Sequence, residues 1–125
     1  MREEVRMWWE LALDDIDTAR KNYTIRKYHV TALYAQQATE KALKALYIQT
    51  FNELKKTHDL VFLAKKLNIP EQYKIICKQL DPVYLETRYP DVSGKLPQML
   101  FDASDATEFI KIAEEVLQWV KTQLS

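Results

Sequence analysis

Apolar residues recur along this chain with the period of a helix, not of a strand. Val5, Trp9, Ala12, Ile16, Ala19 and Tyr23 follow one another at alternating spacings of four and three. That places them on one stripe of a helix running from about residue 3 to 22, with Trp8 broadening the stripe. Asp14, Asp15 and Asp17 fall off the stripe and are expected on a solvated face. A second helix is predicted from about 28 to 50. It is rich in alanine (Ala32, Ala35, Ala38, Ala42, Ala45), the best helix former, whose small side chain lets neighbouring helices approach. Leu33, Leu43 and Leu46 supply bulk. Gln36, Gln37, Glu40, Lys41 and Lys44 share one arc of roughly 140° at 100° per residue. Glu40 and Lys44 stand in the favourable i, i+4 order.

Thr57 is the expected cap of a third helix, residues 58–67, with Leu60, Leu63, Ala64 and Leu67 facing inward. Pro70 separates it from a fourth, residues 71–86. Asp81 followed by Pro82 reads there as an N-cap with a first-turn proline, so a break is expected inside it. Residues 87–98 hold Pro90, Gly94 and Pro97, the densest group of helix breakers, and read as irregular. Asp102 or Ser104 opens a last helix to about residue 123. Its inward stripe is Ala106, Phe109, Ala113, Val116, Leu117, Val120 and Leu124. The pattern predicts one all-α domain over residues 1–125, an antiparallel four-helix up-and-down bundle with one short extra helix.

Composition agrees and narrows the chemistry. Of 125 residues, 47% are apolar and 29% charged, a globular balance long enough to bury a core without staples. The single glycine excludes glycine-rich phosphate loops and argues against sheet turns. Lys plus Arg and Asp plus Glu each number 18, so no general field collects nucleic acid and any phosphate site must be a local cluster of cations. Cys77 is alone among apolar neighbours and reads as a core residue in a reducing, cytoplasmic setting. No secretory signal is visible, and no apolar run approaches the ~18 residues that span a bilayer. His29 and His58 lack metal-ligand spacing, and neither metal nor cofactor is expected.

Arg88 is the strongest candidate for chemistry. Its guanidinium can grip a phosphate with two hydrogen bonds and stays charged. A pairing with Asp91 that merely fixes the loop is the alternative. Tyr89 could stack on a base or pack on a neighbouring helix or subunit. Asp91 could orient Arg88 or accept a hydrogen bond. Gln37, Lys41 and Lys44 either converge with Arg88 on one anion or form an ordinary solvated face. His58 opens a helix with Asp59. It serves only as a helix start unless it reaches the Arg88 loop, where it could act as a general base.

The first helix with its tryptophans and Asp14-Asp15, the run from Tyr34 to Tyr47, the triplet His58-Asp59-Leu60, and Arg88-Tyr89-Pro90-Asp91 after a helix carrying Tyr84 follow one another along the chain. In that order they resemble the HEPN family (higher eukaryotes and prokaryotes nucleotide-binding). The resemblance implies a helical bundle that pairs into a homodimer and is linked to nucleotides or RNA. Many relatives act with a small nucleotidyltransferase as a toxin–antitoxin pair; others are metal-independent ribonucleases. The ribonucleases resemble one another in an Arg and a following His with four to six residues between them. After Arg88 that region holds Ser93, Gly94 and Lys95, so the histidine is missing. The resemblance therefore favours a nucleotide- or RNA-phosphate-binding module. A divergent ribonuclease using Arg88 and His58, or a purely structural dimerisation scaffold, are the alternatives.

Overall fold

Alanine at every third or fourth position of the central helix decides how the chain packs. The computed structural model describes residues 1–125 and contains helices but no strand. They are α1 (Glu3–Thr24), α2 (Tyr28–Phe51), α3 (Leu60–Leu67), α4 (Glu71–Leu80), α5 (Val83–Arg88), α6 (Pro90–Ser93) and α7 (Ala103–Gln123), with a 3₁₀ turn at Pro97–Met99. Ala12 and Ala19 of α1 meet Ala35, Ala38 and Ala42 of α2 in one core, and all five are fully buried. Small side chains at that seam let the backbones close up, and enlarging one would overpack it by about 1–3 kcal/mol. Leu43, Leu60, Leu63, Leu80, Val116 and Val120 fill the rest.

The bundle is up-and-down. Val5 and Trp8 at the start of α1 pack with Ala45 and Ile48 late in α2 and with Leu124 just beyond α7. At the other end Thr107 Oγ1, whose proton goes to the Ala103 carbonyl, accepts from the Tyr23 hydroxyl at 3.3 Å. Hence α1 opposes both α2 and α7. The Gln49 side chain donates to the Gln123 carbonyl at 2.8 Å, so α2 and α7 run together. Tyr73, early in α4, stacks on Trp119, late in α7, which sets α4 against α7. The fourth helix of the bundle is thus α4 continued by α5 beyond a break at Pro82, and α3 is the short extra one.

Helix ends explain where the boundaries differ from expectation. Asp59, not Thr57, caps α3: its carboxylate accepts from Phe62 N–H at 2.9 Å. Thr57 instead accepts from Asp59 N–H at 3.1 Å. Asp81 does not cap α5. Its backbone is helical, and its carboxylate reaches across to accept from Leu60 N–H at 2.8 Å, giving α3 a second cap from a distant element. Asp102 does cap α7, with a reciprocal bond from its own N–H to Asp105. The expected irregular stretch contains α6 and the 3₁₀ turn; Gly94, at φ +77°, ends α6 in the left-handed region where a side chain would be strained. Asn52 and Asn68 end α2 and α3 in the same conformation, which asparagine tolerates well.

Candidate functional site

Because α2 lies at the centre, its polar arc is covered too. Gln36, Glu40 and Lys44 are buried, and Glu40 retains only 1% of its exposure. Buried charges must be paired. Lys44 Nζ donates to Glu40 Oε2 at 3.0 Å and lies 5.4 Å from the centroid of the Trp8 ring. Lys41 Nζ donates to Asp15 Oδ2 at 3.0 Å and to Gln37 Oε1 at 3.3 Å. Gln37 in turn donates to Gln36 at 2.7 Å. Asp15 is therefore not on a solvated face with Asp14: it is buried against α2. Burial pushes its carboxyl above the ordinary range, while the bond from Lys41 pulls the other way. No buried side-chain N or O atom lacks a hydrogen-bond partner.

From this interior chain the site emerges at His58. Its Nδ1 lies 2.8 Å from Glu40 Oε1. A carboxylate only accepts hydrogen bonds, so Nδ1 carries the proton of this bond. The imidazole side chain is 53% exposed. It stacks on Tyr84, with ring centroids 4.1 Å apart and planes inclined by 14°. One turn further along α5, the Arg88 guanidinium lies 5.1 Å from the same Tyr84 centroid. Tyr84 is thus a pedestal touched by both groups, and it fixes their relative position.

Arg88 is exposed and takes part in no ion pair; Asp91 does not neutralise it. Tyr89 follows in extended geometry, as Pro90 requires, and remains 46% exposed. Asp91 is exposed in the first turn of α6. So Arg88, Tyr89 and Asp91 are each exposed at the junction of α5 and α6, and His58 reaches that junction through Tyr84. Lys41, Lys44 and Gln37 do not join it: their polar atoms are taken up by Asp15, Glu40 and Gln36. They form neither a solvated face nor a second set of free cations.

Beside His58 lies a shallow cleft of about 360 Å³ lined by Trp8, Lys44, Leu54, Lys56, Thr57 and His58. A larger groove, about 1270 Å³, runs between α1 and α7 past Trp9, Tyr23, Tyr73 and Trp119, but none of the residues just described borders it. No group of three or more His, Cys, Asp or Glu side chains could hold a metal ion. No helix is long and apolar enough to cross a membrane.

Sequence reasoning missed the bond between Glu40 and His58, the role of Tyr84, and the cleft at Trp8 and Lys56. The Tyr84–Arg88 pair had a signal, its i, i+4 spacing. Glu40 and His58 had none, because a loop separates their helices.

Similarity to known proteins decides the family. The family model described as HEPN domain matches residues 5–123. The chain belongs to the HEPN family. Among solved structures, TT1696 from Thermus thermophilus is 27% identical, with a TM-score of 0.92 over 98% of this chain and 100% of that one. ST0689, described as an archaeal HEPN homologue, is 32% identical, with a TM-score of 0.84 over the whole of both chains. No curated protein matches the chain. The bundle is therefore a HEPN bundle along its full length, and the open edge at Arg88 lies within it.

Proposed function

We propose that this HEPN module binds the phosphate of a nucleotide or RNA at the edge formed by Arg88, Tyr84 and His58. The observation that carries the reading is the state of Arg88: exposed, free of any carboxylate, and held over an aromatic ring. A neutral chain can attract phosphate only through such a local cation. The planar guanidinium forms two parallel bonds to phosphate oxygens. Tyr89 offers its open ring to a base, and Asp91 accepts from a sugar hydroxyl. Exposed Leu85, Val92, Leu96 and Met99 flank this edge and supply an apolar face for pairing into a homodimer. The family resemblance adds a small nucleotidyltransferase as partner, in a toxin–antitoxin pair in the cytoplasm.

The direct test is titration of labelled single-stranded RNA and of ATP into wild-type protein and Arg88→Ala. We expect Arg88→Ala to weaken binding at least tenfold while changing the unfolding free energy by no more than about 1 kcal/mol. Equal affinity for both proteins would sink the reading.

The bond from His58 to Glu40 supports a second reading, metal-independent RNA cleavage. With Nδ1 held by a carboxylate, Nε2 can take the proton of a ribose 2′-hydroxyl. The 2′-oxygen attacks the adjacent phosphorus and the 5′-oxygen leaves, taking a proton from water. The products are a 2′,3′-cyclic phosphate and a 5′-hydroxyl, with Arg88 balancing charge on the phosphorane. RNA incubated with protein and chelator would show these ends, and His58→Ala would abolish them. Intact RNA after such incubation removes this reading and leaves the binding one standing.

A further inference from the structure

His58 has two sides. One stacks on Tyr84, toward Arg88; the imidazole also forms part of the wall of the cleft that holds Lys56. That cleft has the composition of an anion site. None of its six lining residues is acidic. Lys56 is exposed and belongs to no ion pair. Thr57 Oγ1 accepts from Asp59 N–H, and its own hydroxyl proton goes to no protein acceptor, so it can be donated to a ligand. Trp8 and Leu54 give the cleft an apolar wall. Lys44, the other cation there, is already committed to Glu40.

We propose a second phosphate subsite at Lys56 and Thr57, so that the ligand of this edge is a single-stranded oligonucleotide and not a mononucleotide. The inference rests on the Arg88 reading above. The two free cations come from separate elements: Lys56 shares its cleft with His58, and Arg88 of α5 lies 5.1 Å from the ring of Tyr84, on which the imidazole stacks at 4.1 Å. The two directly linked phosphates of a diphosphate are less suited to cations on separate elements with an imidazole and a phenol beside them. Phosphates separated by a sugar are suited to the span, with the intervening nucleotide lying along His58 and Tyr84. Trp8 offers a base a surface next to the second phosphate.

The test compares adenosine monophosphate, adenosine diphosphate and the trinucleotide pApApA by calorimetry across a salt series. In wild type the trinucleotide should bind at least tenfold more tightly than either mononucleotide. Lys56→Ala should remove that gain and reduce the salt slope by about one phosphate contact, leaving monophosphate affinity unchanged. Lys95→Ala, an exposed cation outside the cleft, should change neither. Arg88→Ala should weaken all three ligands. Two results overturn the second subsite alone: a trinucleotide affinity and salt slope indifferent to Lys56→Ala, or a diphosphate that binds as tightly as the trinucleotide. If no ligand binds wild type, the Arg88 reading falls and the second subsite falls with it.

Discussion

Glu40 and His58 are joined by a 2.8 Å bond across a sequence separation of 18. The carboxylate is 1% exposed, and its other oxygen binds Lys44, itself 7% exposed along the side chain. A single buried acid thus neutralises a buried cation and orients an exposed imidazole. The interior of the bundle is in this way wired to its open edge.

That arrangement makes the fold sensitive to loss of Glu40. Glu40→Ala strands the Lys44 ammonium in the core, and losing one partner of a buried pair costs about 3–5 kcal/mol. Urea unfolding should show this loss. Replacing the pair together, Glu40→Leu with Lys44→Met, should recover most of it, because well-packed apolar residues substitute for a buried ion pair with little or no penalty. A double variant as unstable as the single one would contradict the pairing.

Arg88 should behave in the opposite way. It is exposed, and its one contact, over Tyr84, is worth about 0.5–1 kcal/mol at such a site. Arg88→Ala should therefore leave the unfolding free energy within about 1 kcal/mol of wild type while lowering affinity for RNA. Arg88→Lys should restore the charge but only part of the affinity, since an ammonium lacks the planar fork. A large stability loss in Arg88→Ala would mark the residue as structural.

These two residues also show what the sequence could and could not convey. Arg88 was legible: a cation next to a proline-bearing break in the helices emerges at a bundle edge, and it does. Glu40, Lys41 and Lys44 were not. On a peripheral helix their shared arc would face water. On α2, which α1, α3, α5 and α7 contact, only a half-buried stripe through Leu33, Tyr34, Gln37 and Lys41 does, and periodicity alone does not say which helix is central. The long helices followed from spacing and alanine content. Their ends followed less well, because α3 is capped by Asp59 and also by Asp81 from another element, a contact with no local pattern.

Cys77 should be chemically silent. It is fully buried in the main core, and burial, with Asp81 nearby, pushes its thiol up to about 12. The thiolate is the reactive form. Alkylation by iodoacetamide near pH 8, about half a unit below an ordinary thiol's pKa, should therefore proceed only through unfolding. Its rate should rise with urea as the unfolded fraction does. Prompt modification of native protein would mean the core opens around α4.

Asp81 gives a stability effect whose sign depends on pH. Burial raises its carboxyl above the ordinary range; the bond from Leu60 N–H opposes this, and Asp59 adds to it. In the unfolded chain the group titrates at about 3.9. Between that value and the raised one, the native state holds more protons than the unfolded state. Stability from this group is therefore complete below the unfolded value and declines as pH rises through the native one. Asp81→Asn keeps an oxygen to accept from Leu60 N–H but cannot ionise. Relative to wild type, the variant should be more favourable at about pH 7 than at about pH 3, measured by urea unfolding at both. If its advantage instead shrinks as pH rises, the ionised carboxylate is stabilising α3 by more than burial costs it, and the Leu60 bond dominates at this position.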